Sequence, residues 1–77
     1  MKSYFKVETR TQKARSKHIE KDFFETHPEA LAEFKMKDEL VATQFYRGQI
    51  KSYIIALAEV FPDENRTVVH SIRKAPL

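Results

Sequence analysis

Apolar and polar positions alternate near the ends of the chain and follow a helical period between them. Ser3 to Thr11, SYFKVETRT, sets Phe5, Val7 and Thr9 on one side against Tyr4, Lys6, Glu8 and Arg10 on the other. That alternation of β-formers predicts a half-buried strand. From Gln12 to Glu25 the β-formers give way to Lys, Ala, Arg and Glu, and Ile19 and Phe23 stand four apart. The pattern predicts a first helix with a narrow apolar stripe. Thr26-His27-Pro28-Glu29 has the form of a capping box with Pro in the first turn, so a second helix starts there. It turns Leu31, Phe34, Val41 and Phe45 inward, and a bend is expected near Met36 to Glu39, where the apolar phase shifts.

The most regular stretch is Tyr46 to Phe61, YRGQIKSYIIALAEVF. Its apolar residues Tyr46, Ile50, Tyr53, Ile54, Leu57, Ala58 and Phe61 recur at i, i+4, i+7, i+8, i+11, i+12 and i+15, one stripe of an α-helix. Gly48, the single glycine, either ends the second helix as its C′ residue or lies within a continuous helix from about Asp38 to Phe61. Continuity is preferred because the stripe keeps its phase across Gly48. Such a helix is about 35 Å long, and an overhanging apolar end would point to a partner. Phe61-Pro62-Asp63-Glu64-Asn65 stops it and turns the chain. Arg66 to Arg73, RTVVHSIR, then reads as a second strand, with Val68, His70 and Ile72 on one face and Thr67, Val69 and Ser71 on the other.

The expected fold class is α+β: two short β-strands at the chain ends flanking two or three α-helices, with one long C-terminal helix, in a single domain over residues 1–77. Two strands alone are marginal. They pair with each other under the helices or extend a sheet across a dimer interface, and the pattern leaves both open.

Size sharpens the oligomer question. A core of 77 residues yields only roughly 3–5 kcal/mol of net stability, and with no cysteine neither a disulfide nor a Cys-based metal site supplements it. A homo-oligomer is the expected supplement. The absence of cysteine and of a leader pattern fits a cytoplasmic protein, and no apolar run approaches the roughly 20 residues of a membrane span.

The net charge is +3 and unevenly spread. Residues 1 to 21 hold seven Lys/Arg against two Glu, residues 22 to 45 two Lys against six acids, and the remainder five against three. Such asymmetry bears on partners and association rates rather than on fold.

Candidate chemistry is sparse. One glycine cannot build a phosphate loop or a nucleophile elbow, and no paired-histidine zinc signature is present, so a non-enzymatic protein without cofactors is expected. His18 and Asp22, four apart, lack a third metal ligand. Asp22, Glu25, Glu29 and Glu33 recur at spacings of three or four, as a solvated acidic face does. Two surfaces remain. Tyr46, Arg47 and Tyr53 suit a protein-protein contact, since Tyr and Arg dominate interface hot spots. Arg10, Lys13, Arg15, Lys17 and Lys21 form a basic edge able to follow a phosphate backbone, which makes nucleic acid the alternative partner.

The opening strand YFKVETR, the helix ALAEVF, the Pro-Asp turn and the strand RTVVHSIRKAP resemble the layout of small phage-encoded accessory proteins, which dock on and modulate a host enzyme. The resemblance covers about 30 residues at the two ends. It implies a small inhibitor-like binding protein and assigns no functional residue. A protein partner is therefore the first expectation and nucleic acid the second.

Overall fold

Alternation at the start of the chain does build a strand. β1 (Tyr4–Gln12) buries Val7 and Thr9 and leaves Tyr4 and Arg10 exposed. The structure is a computed structural model and describes residues 2–75. A turn closed by the Lys13 amide on the Ser16 carbonyl, 2.9 Å, leads into β2 (Lys17–Phe24). Helix α1 (His27–Tyr46), β3 (Ser52–Phe61) and β4 (Arg66–Lys74) follow. The strands make one sheet in the order β2-β1-β3-β4, and every neighbouring pair is antiparallel.

The expected fold class is corrected: a four-stranded antiparallel sheet with one helix between β2 and β3 replaces two strands flanking two or three helices. Among the described residues there is no long C-terminal helix. Residues 52–61 are β3, a central strand of the sheet. The end strands β1 and β4 do not pair with each other, since β3 lies between them.

Both errors have one physical origin. A spacing of four residues keeps side chains on one side of a helix and also, being even, on one side of a strand. Ile19 and Phe23 share a sheet face in β2 for that reason. In β3 the residues 54 and 58 face one way and 53, 55 and 57 the other, and both sets are apolar. A central strand with two apolar faces loses the alternation that would announce it.

The helix start lies where the box placed it. Thr26 is the extended N-cap, its carbonyl accepting the Ala30 amide at 3.2 Å, while its hydroxyl donates to the Glu29 carboxylate at 2.7 Å. The helix runs unbroken through Met36 to Glu39. It ends at Gly48, with φ +75, as a Schellman turn in which the Gly48 amide donates to Phe45 and the Gln49 amide to Gln44. The expected continuity across Gly48 is therefore overturned. Tyr46 ends α1, and only past the turn does β3 begin.

Helix α1 covers one face of the sheet. Val7, Ala30, Val41, Ile50, Tyr53, Ile55 and Leu57 form the buried core, with Phe5, Phe24, Leu31, Phe34 and Phe45 packed around it. Lys37 on the helix bonds Glu20 of β2 at 2.8 Å, and Arg73 of β4 approaches Asp38 at 3.4 Å, so both edges of the sheet are pinned to the helix. Between β3 and β4 the register shifts opposite Leu57 and Ala58, which leaves His70 as the extra residue of a bulge. The bulge undoes the expected division of β4: Val69 and Ile72 share one face, while His70 turns to the other, where its ring meets Phe5 and His27.

Candidate nucleic-acid interface

With α1 on one side, the other side of the sheet carries no element of the described chain. Cross-strand register lays its side chains out in rows. Phe23, Lys6, Ala58 and Val69 make one row; Lys21, Glu8, Ala56 and Ile72 the next; Ile19, Arg10, Ile54 and Lys74 the third; and Lys17, Gln12 and Ser52 the fourth. Tyr4 and Val60 lie beyond the first. Alternation along β1 put Tyr4, Lys6, Glu8 and Arg10 on this side, and pairing with β2 adds Lys17, Lys21, Ile19 and Phe23 to it.

Three properties distinguish this open face. It is basic: Lys6, Arg10, Lys17, Lys21 and Lys74 stand on it against Glu8, with Glu25 beside Tyr4 and Phe23 at its end. The acids Glu20, Asp22 and Glu59 sit on the covered face of the sheet, and Glu29, Glu33, Asp38 and Glu39 on the helix. The face is also partly apolar. Phe23 is 58% exposed, Ile19 54%, Val69 56% and Ile72 53%. Finally it carries an aromatic pair at one end, Tyr4 and Phe23, whose rings lie 5.8 Å apart at 60°.

Glu8 organises the cations around it. Arg10 donates to it at 2.5 Å, Lys6 lies at 3.6 Å and Lys21 stands directly across the strand pair. Burial alone would raise its pKa, but the Arg10 hydrogen bond and the charges of Arg10, Lys6 and Lys21 outweigh it and hold the carboxyl below the usual range. Lys13, Arg15, Lys17 and Lys21 form no ion pair among the described residues, so their charge is available to a partner.

The five basic residues singled out in the sequence thus come together on one hairpin. Arg10, Lys17 and Lys21 lie on the open face, and Lys13 and Arg15 occupy the turn that ends it. They line two strands and a turn rather than the edge of a helix. The other set does not assemble. Tyr53 is 3% exposed and packs edge-on against Phe45 in the core, whereas Tyr46 is 79% exposed at the end of α1 and Arg47 caps it. No single surface displays the three.

Sequence reasoning missed Lys6, Phe23, Lys74, Val69 and Ile72 as members of a site. The signal was there for Lys6 and Phe23, since alternation along the first strand sets Lys6 beside Arg10, and a period of two through residues 17–23 places Lys17, Ile19, Lys21 and Phe23 together. Val69 and Ile72 were hidden by the bulge, which no residue type announces.

Elsewhere, His70 Nε2 lies 3.1 Å from the Glu59 carboxylate, which also accepts the Ser3 hydroxyl at 2.6 Å. No group of three or more potential metal ligands gathers among the described residues, and no described helix is long and apolar enough to cross a membrane. A hollow of about 400 Å³ lies under the other face between the β1–β2 hairpin and α1, with the unpaired Thr9 hydroxyl on its wall. No protein family, curated relative or solved structure matches this chain.

Proposed function

We propose that this protein is a non-enzymatic binding module of the cytoplasm whose open sheet face holds single-stranded nucleic acid. One observation carries the proposal: the uncovered face gathers five cations and an exposed aromatic pair against Glu8 and, at its aromatic end, Glu25, while most of the other acids lie on the opposite layer. A polyanion meets attraction on this side and repulsion on the other. Single strands suit it better than duplex. Unstacked bases can lie on Phe23, Tyr4 and the aliphatic residues while Lys and Arg follow the backbone, which is the division of labour in sequence-tolerant single-strand binding. The element of a size to enter a duplex groove is α1, and it packs against the sheet and carries Glu29, Glu33 and Glu39.

A protein partner, a second copy included, is supported by a narrower observation: the exposed Val69 and Ile72 beside Ile54 on the β3–β4 half of the same face. The like charges of the hairpin half weigh against laying two such faces squarely together.

Charge reversal separates the two. Lys17→Glu with Lys74→Glu, two cations that pair with no acid among the described residues, should weaken single-strand binding at least about tenfold at low salt and flatten its salt dependence, with thermal unfolding little changed. Arg47→Ala, away from the face, should leave binding as it was. Retained affinity in the double variant would overturn the proposal. A stable dimer abolished by Ile72→Lys, without any nucleic-acid binding, would give the face to a protein.

A further inference from the structure

At the hairpin end of the open face the register leaves a gap. Ile19 on β2 and Ile54 on β3 flank Arg10 of β1, and the two isoleucines stand two strand spacings apart, about 10 Å. Arg10 does not fill the space between them, because its guanidinium is drawn to Glu8 in the adjoining row. The next row outward is Lys17, Gln12 and Ser52. Together these six residues line a recess of about 280 Å³. That lies just under the roughly 300–1,000 Å³ of pockets that enclose a drug-sized ligand, so the space suits one ring system rather than a larger molecule.

The lining has the chemistry of a base-reading site. Its walls are aliphatic, offered by Ile19 and Ile54 to the faces of a planar ring. Its polar groups are unspent. The hydroxyl of Ser52, a residue 5% exposed, and the side-chain amide of the exposed Gln12 make no hydrogen bond to another side chain among the described residues, so both can turn to a ligand. Lys17, which pairs with no acid among the described residues, supplies positive charge at the rim, where a phosphate attached to the ring would lie.

We propose that this recess is a nucleobase subsite with a preference for adenine. It rests on the nucleic-acid reading of the open face and sharpens it. A glutamine amide pairs one donor and one acceptor, the match for N7 and the N6 amino group of adenine that glutamine characteristically makes; cytosine offers a comparable pair, N3 with its N4 amino group, which makes CMP the discriminating control. The Ser52 hydroxyl can donate or accept toward the base edge, and the isoleucines exclude water from the rings. The Tyr4–Phe23 pair lies four residues along the strands, about 13 Å away, so a strand seated here reaches the aromatic end within a few nucleotides.

Amide-resolved NMR of the full chain tests this with AMP, CMP and inorganic phosphate as separate probes. AMP should shift the Gln12 side-chain amide and the backbone amides of Ile19, Ser52 and Ile54, and CMP should shift them less. Phosphate should move only signals near Arg10 and Lys17. Equal shifts from phosphate and AMP would overturn the base subsite. In parallel, an oligothymidine carrying one adenine should bind about fivefold or more tightly than plain oligothymidine. Gln12→Ala should erase that difference and leave the salt dependence untouched. Tight oligonucleotide binding with no adenine preference would reject the subsite and leave the function standing. No binding of any strand would reject both.

Discussion

Ile54 and Ile55 are chain neighbours that serve opposite layers. Ile55 is fully buried beneath α1, and Ile54 is half-buried on the open face. Ile55→Ala should therefore lose roughly 2–5 kcal/mol in a urea unfolding experiment, since it leaves a cavity in a packed core. Ile54→Ala should lose clearly less, because its surroundings are partly solvent. Equal losses would mean that something covers the open face in solution. Gly48 has a different vulnerability. Nothing lies within 4 Å of a Cβ placed there, so Gly48→Ala meets no clash, and its positive φ alone should cost about 1–2 kcal/mol, read as a lower unfolding midpoint. At this scale the sequence was informative about Phe5, Val7, Val41 and Phe45, which stand at clean periods. It was uninformative about Ile54 and Ile55, because a run such as YIIALA is apolar at every position and has no period to read.

Between elements, the contact that pins β2 to α1 is Glu20 with Lys37. The Lys37 hydrogen bond holds the Glu20 carboxyl below its ordinary value of 4.5, and the same bond raises Lys37 above 10.5. A depressed carboxyl stabilises the fold above its unfolded pKa and loses that contribution as pH falls through the folded value. A raised lysine contributes below 10.5 and loses its share as pH climbs past the folded value. Stability should accordingly decline below about pH 4.5, where Glu8 and Glu59 are depressed as well. Glu20→Gln should remove only part of that decline. The pair is partly exposed, so its share is less than about 1 kcal/mol after solvent screening. A pH profile of thermal unfolding unchanged by Glu20→Gln would show that the pair does not hold β2 down. The existence of β1, β4, the helix start at Thr26 and the turn at Pro62 was legible because each has local chemistry that fixes it. β2 was not, since its Lys, Glu and His have no strand preference. It becomes a strand by pairing with β1, a long-range gain that outweighs local propensity.

For the whole molecule, the decisive feature is the sorting of charge between two layers. Along the chain it shows as basic, acidic, basic. In space the first basic block becomes the β1–β2 half of the sheet and turns Lys6, Arg10, Lys17 and Lys21 to its open side, and most of the acidic block becomes the helix on the other. The linear charge pattern was legible at once, and its consequence was not, because the side on which Lys17 and Lys21 emerge depends on the register with β1. The measurement that bears most directly on the function is a fluorescence-anisotropy titration of the full chain with labelled single-stranded and duplex oligonucleotides across a salt series. The single strand should bind more tightly than the duplex, with log affinity falling against log salt at a slope of roughly −3, as expected for about four neutralised phosphates. Duplex binding equal to or tighter than single-strand binding, or no binding at the lowest salt, would contradict the assignment of the open sheet face to single-stranded nucleic acid.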